Sequence, residues 1–247
     1  MNINPWIKQQ SPNPNARLRL FCFPYAGGAA SIYRTWHQYL PNDIEVCATQ
    51  LPGRENRIRD LAYTNVSILA ESFIPYLLPY LDKPFAFFGH SMGTMIAYEL
   101  TLQLQARGHS PTHLLMSGRR APHLPETRSL VHTLADDLDF LQELQRRYSN
   151  IPEIIFQEVE LRELFIPLLR ADLELVETYQ PTGETRLSCP IVALGGTTDE
   201  HASRADLLAW QTLTTGKFNL HLFPGGHFYL NDQTQPLTQT IKHYLEA

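Results

Sequence analysis

The sequence predicts an α/β fold, with a mostly parallel central sheet flanked by helices and a helical insertion late in the chain. Three observations predict it. Apolar runs of strand length alternate with longer segments of helical period, the pattern that builds parallel sheets with crossover helices. Ten of the 13 glycines (Gly27, Gly28, Gly53, Gly89, Gly93, Gly118, Gly195, Gly196, Gly225 and Gly226) fall at or just after the ends of those runs, so the tight turns gather at one sheet edge. The alternation then lapses for about 70 residues between Gly118 and Ile191, where only helical period is visible.

In chain order, RLRLFCF (17–23), IEVCATQL (44–51), FAFFG (85–89), HLLMSG (113–118), IVALGG (191–196) and KFNLHLF (217–223) read as strands. Helix-like segments lie near 29–40, 65–80, 92–107, 204–213 and 233–245. In the long interval, residues 134–148 and 155–179 place apolar side chains three and four apart; Pro152 and Pro181 flank the second segment, and Pro167 is expected to kink it. An insertion of this length before a return to the sheet reads as a lid over the strand ends, at about 120–185. The whole chain, 1–247, is then one domain carrying that insertion, near the upper size that one core supports.

Composition excludes several classes. With 43% hydrophobic and 18% charged residues the chain is neither disordered nor a charged coiled coil. A net charge of −5 argues against nucleic acid, which calls for a basic face. The start of the chain lacks the basic-then-apolar order of a secretory signal, and no run approaches the roughly 18 apolar residues of a membrane span. Cys22, Cys47 and Cys189 lie in apolar strand-like runs without metal-ligand spacing, which reads as buried thiols of a reducing, cytoplasmic compartment. A monomer is the default expectation.

GHSMG (89–93) matches G-x-S-x-G, and its context carries more weight than the pattern. A buried strand precedes it and a helix follows, as required of a turn that lifts the Ser91 hydroxyl above the sheet. A serine hydroxyl needs a base. Among ten histidines, position selects His227, which follows the last strand through PGG, whereas His221 lies within that strand and His90, beside the serine, should point away. An acid must hold the imidazole tautomer. Asp199 in LGGTTDE stands just past the preceding strand, with Glu200 as the nearest competitor; after HLLMSG no carboxylate occurs until Glu126. Two backbone N–H groups must face the developing oxyanion: that of Met92, after the serine, and one from the turn FPYAGG, for which Ala26 is chosen. Tyr25 in that turn either lines the pocket or packs.

Taken together and in order, LRLFCFPYAGGAAS, QLPGRENR, FAFFGHSMG, SGRRAP, ALGGTTDE and FPGGHFYL resemble the stand-alone type II thioesterases of non-ribosomal peptide and polyketide synthesis. The likeness runs from about Trp6 to the C-terminus. It implies the α/β-hydrolase fold with a helical lid, and hydrolysis of acyl thioesters on the phosphopantetheine arm of acyl or peptidyl carrier proteins, clearing stalled or misprimed synthases. Ser91, Asp199 and His227 match the family triad, and Ala26 and Met92 its oxyanion donors. No metal or cofactor is implied, since the phosphopantetheine belongs to the substrate. A small-molecule acyl-CoA thioesterase or carboxylesterase of the same fold is the alternative, and a non-catalytic binding protein a third reading. Arg54, Arg57, Arg59, Arg119 and Arg120 offer a basic rim for a carrier, but structural ion pairing is the preferred reading of these arginines.

Overall fold

Residues 4–125, 129–181 and 185–246 are described by the structure, a computed structural model. Among the described residues seven strands form one sheet: β1 (Ile7–Lys8), β2 (Leu18–Phe23), β3 (Ile44–Thr49), β4 (Phe85–His90), β5 (Leu114–Ser117), β6 (Ile191–Gly196) and β7 (Phe218–Phe223). Their order is β1-β3-β2-β4-β5-β6-β7, and every pairing is parallel except that of β1 with β3. The central strands are apolar without alternation because both faces are covered. In β4, Phe85 and Phe87 point into one core with Phe21, Phe23 and Trp210, while Ala86 and Phe88 point into the other with Tyr33, Trp36 and Ile241. Rings fill the first face edge-on, with Phe23 and Phe87 centred 5.4 Å apart.

The helices are α1 (Val66–Leu77), α2 (Met92–Gln105), α3 (Asp137–Tyr148), α4 (Glu153–Gln157), α5 (Val159–Glu177), α6 (Arg204–Leu208), α7 (Tyr229–Asp232) and α8 (Thr234–Glu246). Local chemistry sets their ends. The Asn65 side chain accepts the Ile68 N–H to open α1, and a Ser203–Asp206 capping box opens α6. α2 is buried along almost its whole length, which explains why its sequence shows no polar face.

Three expectations need correction. The segment 29–40 is not an α-helix but two 3-10 turns, Ala30–Tyr33 and Trp36–Gln38. Its buried residues Ala30, Tyr33 and Trp36 recur every third position, the period of the tighter helix. Segment 204–213 likewise changes from α6 to a 3-10 turn at Ala209. The second insertion helix breaks at Glu158, whose extended φ −99°, ψ 117° separates α4 from α5; Pro167 lies inside α5.

The insertion between β5 and β6 contributes α3, α4 and α5, with 126–128 and 182–184, and so Glu126, outside the described residues. α3 is well specified by its sequence: Asp136 caps two leading N–H groups, acids occupy its first turn and arginines its last, and Ser149 ends it in the left-handed region at φ 49°. Phe140, Leu141 and Leu144 of α3 pack with Ile155 of α4 and with Ile166, Leu169 and Leu173 of α5 in a small core of their own.

Candidate active site

Ser91, Asp199 and His227 stand beyond the carboxyl ends of β4, β6 and β7, so the sheet brings together residues 28 and 136 positions apart. His227 Nε2 lies 3.0 Å from Ser91 Oγ, and His227 Nδ1 lies 2.9 Å from Asp199 Oδ2. Ser91 occupies φ 51°, ψ −112°, a backbone conformation that costs about 1–3 kcal/mol and persists only where the surroundings impose it. Here the Ser91 N–H donates to the Ser117 carbonyl at 2.8 Å, and Gly93 lets α2 press against β2: a Cβ at position 93 would lie 2.1 Å from the Phe23 carbonyl oxygen.

The loops that carry Asp199 and His227 are joined as well. Thr197 N–H donates to Phe223 O at 2.8 Å and Thr198 N–H to Gly225 O at 3.0 Å, extending the β6–β7 pairing toward the site. Burial pushes the Asp199 carboxyl up, but the hydrogen bond and charge of His227, the His201 N–H and the His201 charge outweigh it and hold the group below its ordinary range. Asp199, and not the exposed Glu200, meets the imidazole.

Met92 follows the serine in the chain, and Ala26 lines the same cavity as the serine. Met92 opens α2, so its N–H has no acceptor within the helix, and the positive end of the helix dipole faces the same place. Ala26 sits in the turn Tyr25–Gly28, closed by Gly28 N–H to Tyr25 O at 2.9 Å, with Gly27 at φ +74° as a type II turn requires. Ala26 and Ser91 border a cavity of about 610 Å³ whose far wall is the insertion, through Leu144, Ile155, Phe165, Leu169 and Leu173. Tyr25 does both things the sequence left open: it lines this cavity and packs edge-on against Phe228 at 4.9 Å.

The geometry joins a serine hydroxyl, hydrogen-bonded to a buried imidazole, to a largely apolar cavity. A family model described as the thioesterase domain matches residues 18–246. This chain belongs to the thioesterase family. It is 40% identical over 229 residues to the gramicidin S biosynthesis protein GrsT of Aneurinibacillus migulanus, covering 92% of this chain and 89% of that one. It is 40% identical over 242 residues to the thioesterase PikA5 of Streptomyces venezuelae, covering 97% and 85%. Among solved structures, BorB, the type II thioesterase from the borrelidin biosynthetic cluster, superposes with a TM-score of 0.87 at 36% identity, covering 97% of each chain. The protein is therefore a thioester hydrolase of α/β-hydrolase fold.

In this thioesterase the arginines flagged in the sequence divide. Arg57 pairs with Asp60 at 2.7 Å and lies over the Trp6 ring, and Arg120 faces Asp206 at 3.7 Å. Arg59 is exposed, and Arg119 borders the cavity. Arg54 is buried and bidentate to Asp172 of α5, Nη1 to Oδ2 at 3.0 Å and Nη2 to Oδ1 at 2.8 Å. Removing either member would strand a buried charge at a cost of about 3–5 kcal/mol.

His90 points away from Ser91, as its place in the strand suggests. Its Nδ1 meets Ser117 Oγ at 2.7 Å, and that hydroxyl meets Tyr229 OH at 2.7 Å. Burial, then the neighbouring His227, hold the His90 imidazole well below the usual histidine range. Two residues escaped the sequence reading. His201 donates its N–H to Asp199 Oδ1 at 2.8 Å, and its ring stands edge-on to His227 at 5.2 Å. Its place two residues after Asp199, where an acidic side chain accepts the backbone N–H, was the available signal. Tyr148, centred 5.4 Å from His227, had none.

No helix among the described residues is long and apolar enough to cross a membrane, and no cluster of His, Cys, Asp or Glu among them could hold a metal ion.

Proposed function

We propose that this enzyme hydrolyses acyl thioesters carried on the phosphopantetheine arm of carrier proteins, with Ser91 as nucleophile, His227 as base, Asp199 as orienting acid, and the Ala26 and Met92 N–H groups as the oxyanion hole. The observation that carries the assignment is the hydrogen-bonded chain Ser91–His227–Asp199, whose serine borders an apolar cavity. His227 Nε2 takes the Ser91 proton as Oγ attacks the thioester carbonyl. Charge gathers on the carbonyl oxygen and is met by the two N–H groups; one such donor is worth about 10²–10³ in rate. The thiol leaves, taking the proton from His227; water, deprotonated by the same imidazole, then releases the carboxylic acid and regenerates Ser91.

The carrier is supported by the relatives, which are named for gramicidin S biosynthesis and for the borrelidin cluster. In this reading α3, α4 and α5 form the lid of a single domain, their apolar faces covering the acyl group. The compartment is the cytosol, where Cys22, Cys47 and Cys189, all buried and unpaired, stay reduced.

The test compares hydrolysis of one short acyl group from a carrier-protein arm, from coenzyme A and from a nitrophenyl ester, with Ser91→Ala as the blank. A carrier kcat/KM well above the other two supports the reading. Equal rates on all three would leave a general thioesterase or esterase, and activity in Ser91→Ala would remove the nucleophile assignment.

A further inference from the structure

The turn that supplies Ala26 is held by more than its own closing hydrogen bond. Gly27 N–H donates to Asp172 Oδ2 at 2.7 Å, and the Gly28 carbonyl accepts Arg54 Nη1 at 2.9 Å. Asp172 comes from α5, Arg54 from the loop after β3, and the two are bidentate to one another. Each peptide of the turn is thereby fixed. The Tyr25 carbonyl is tied by Gly28 N–H, and because the peptide is planar and trans, the Ala26 N–H must point the opposite way. The Ala26–Gly27 peptide could flip between type I and type II turns, and Asp172 holds it in one of them.

We infer that Asp172, locked by Arg54, is a positioning residue for the oxyanion hole: by holding Gly27 N–H it keeps the turn closed on the Gly28–Tyr25 hydrogen bond that aims the Ala26 N–H, and so acts on the transition state rather than on substrate binding. The inference rests on the proposed role of Ala26. The choice of a buried ion pair over a neutral acceptor follows from electrostatics. An isolated carboxylate one peptide away from a developing oxyanion would oppose it, and the bidentate guanidinium cancels that charge while Oδ2, which accepts from Arg54 Nη1, also accepts Gly27 N–H.

The pair also ties α5 to this turn. The side chain of Leu169, one helical turn before Asp172, would lie 2.8 Å from a Cβ placed on Gly27. The half of the insertion that holds Asp172 is therefore a fixed wall of the site.

The test uses a double variant, Arg54→Met with Asp172→Leu, which replaces a buried ion pair by apolar residues, an exchange that folds commonly tolerate. Thioester kcat, corrected for folded fraction by circular dichroism, is expected to fall about 10- to 100-fold with KM within about twofold. The Ki of a trifluoromethyl ketone thioether of pantetheine, which forms a tetrahedral adduct on Ser91, should rise by the same factor. Arg54→Met with Asp172→Asn, which keeps an oxygen for Gly27 N–H and strands no buried guanidinium, is expected to recover most of the loss. An unchanged kcat and Ki in the folded double variant would overturn the inference, as would Arg54→Met with Asp172→Asn losing as much as Arg54→Met with Asp172→Leu. Should the double variant not fold, amide exchange in the wild-type enzyme decides: Gly27 N–H should be protected at least about tenfold, and free exchange sinks the idea. Ser91→Ala, run alongside, separates this outcome from failure of the nucleophile assignment, since only the latter leaves that variant active.

Discussion

Tyr148 and His201 stack face to face, their ring centres 4.4 Å apart and their planes 22° from parallel. The last residue of α3 thus rests on a residue whose backbone holds Asp199, and His201 Nε2 reaches the Arg147 carbonyl at 2.7 Å to complete the link. An aromatic pair of this kind is worth about 0.5–1.5 kcal/mol beyond the area it buries, or roughly two- to tenfold in a rate that depends on it. Tyr148→Ala is expected to lower thioester kcat/KM by that factor, while Tyr148→Phe, which keeps the ring, retains most of the activity. Steady-state kinetics on one acyl-carrier substrate checks both, and equal losses would show that the hydroxyl, not the stack, matters.

The carboxylate on His227 Nδ1 is Asp199. Asp199→Asn would favour the wrong imidazole tautomer, and kcat is expected to drop about 10⁴-fold. Glu200→Gln should keep wild-type kinetics. A crippled Glu200→Gln beside an active Asp199→Asn would transfer the role.

His90 is buried and held well below the usual histidine range, by burial first and by His227 second. The folded protein therefore binds fewer protons than the unfolded chain from about pH 6.5 down to the folded-state value, and stability must fall as pH drops through that window. Above it His90 is neutral in both states and contributes no slope. Burial also lowers His113 and, with some help from His243, His221, adding slope in the same direction, so the measurement is a difference. His90→Asn, which keeps a polar atom near Ser117 Oγ, should flatten the denaturant-measured stability between pH 5 and 6.5 by up to about 1.4 kcal/mol per pH unit. Identical slopes in the two proteins would refute the assignment.

Gly93 has no room for a side chain, with the Phe23 carbonyl 2.1 Å from its would-be Cβ. Gly93→Ala must push α2 away from β2 and is expected to destabilise the fold by about 1–3 kcal/mol. Because the displaced helix starts with Met92, acyl-enzyme formation should slow as well, which pre-steady-state release of thiol would measure. A stable Gly93→Ala enzyme with a normal burst would contradict the packing described.

The central strands were legible because they are buried on both faces, and β6 runs over the very residues its apolar run marks, Ile191–Gly196. β1 was not, since two residues, Ile7 and Lys8, carry no period and are made a strand only by Thr49 and Ala48 beside them. At the site, Ser91, Asp199 and His227 could be read because each follows a recognisable strand and turn. Asp172 could not, for its partner Arg54 lies 118 residues away and nothing in an amphipathic helix marks one acid as buried. Tyr148 escaped for the same reason: its partners His201 and His227 belong to other loops.

Tyr148, against the loop of Asp199, and Asp172, on the turn of Ala26, anchor the insertion beside the site, and the helices that carry them also line the cavity. Selectivity and speed are then linked traits. Refitting the cavity to a bulkier or longer acyl group by reshaping α3 or α5 will drag on the frame that times proton transfer and charge stabilisation, even where no substituted atom touches the substrate. The stretch from Ile151 to Ile155, which lines the cavity between the anchors and carries neither, is where a new preference can be written at undiminished turnover.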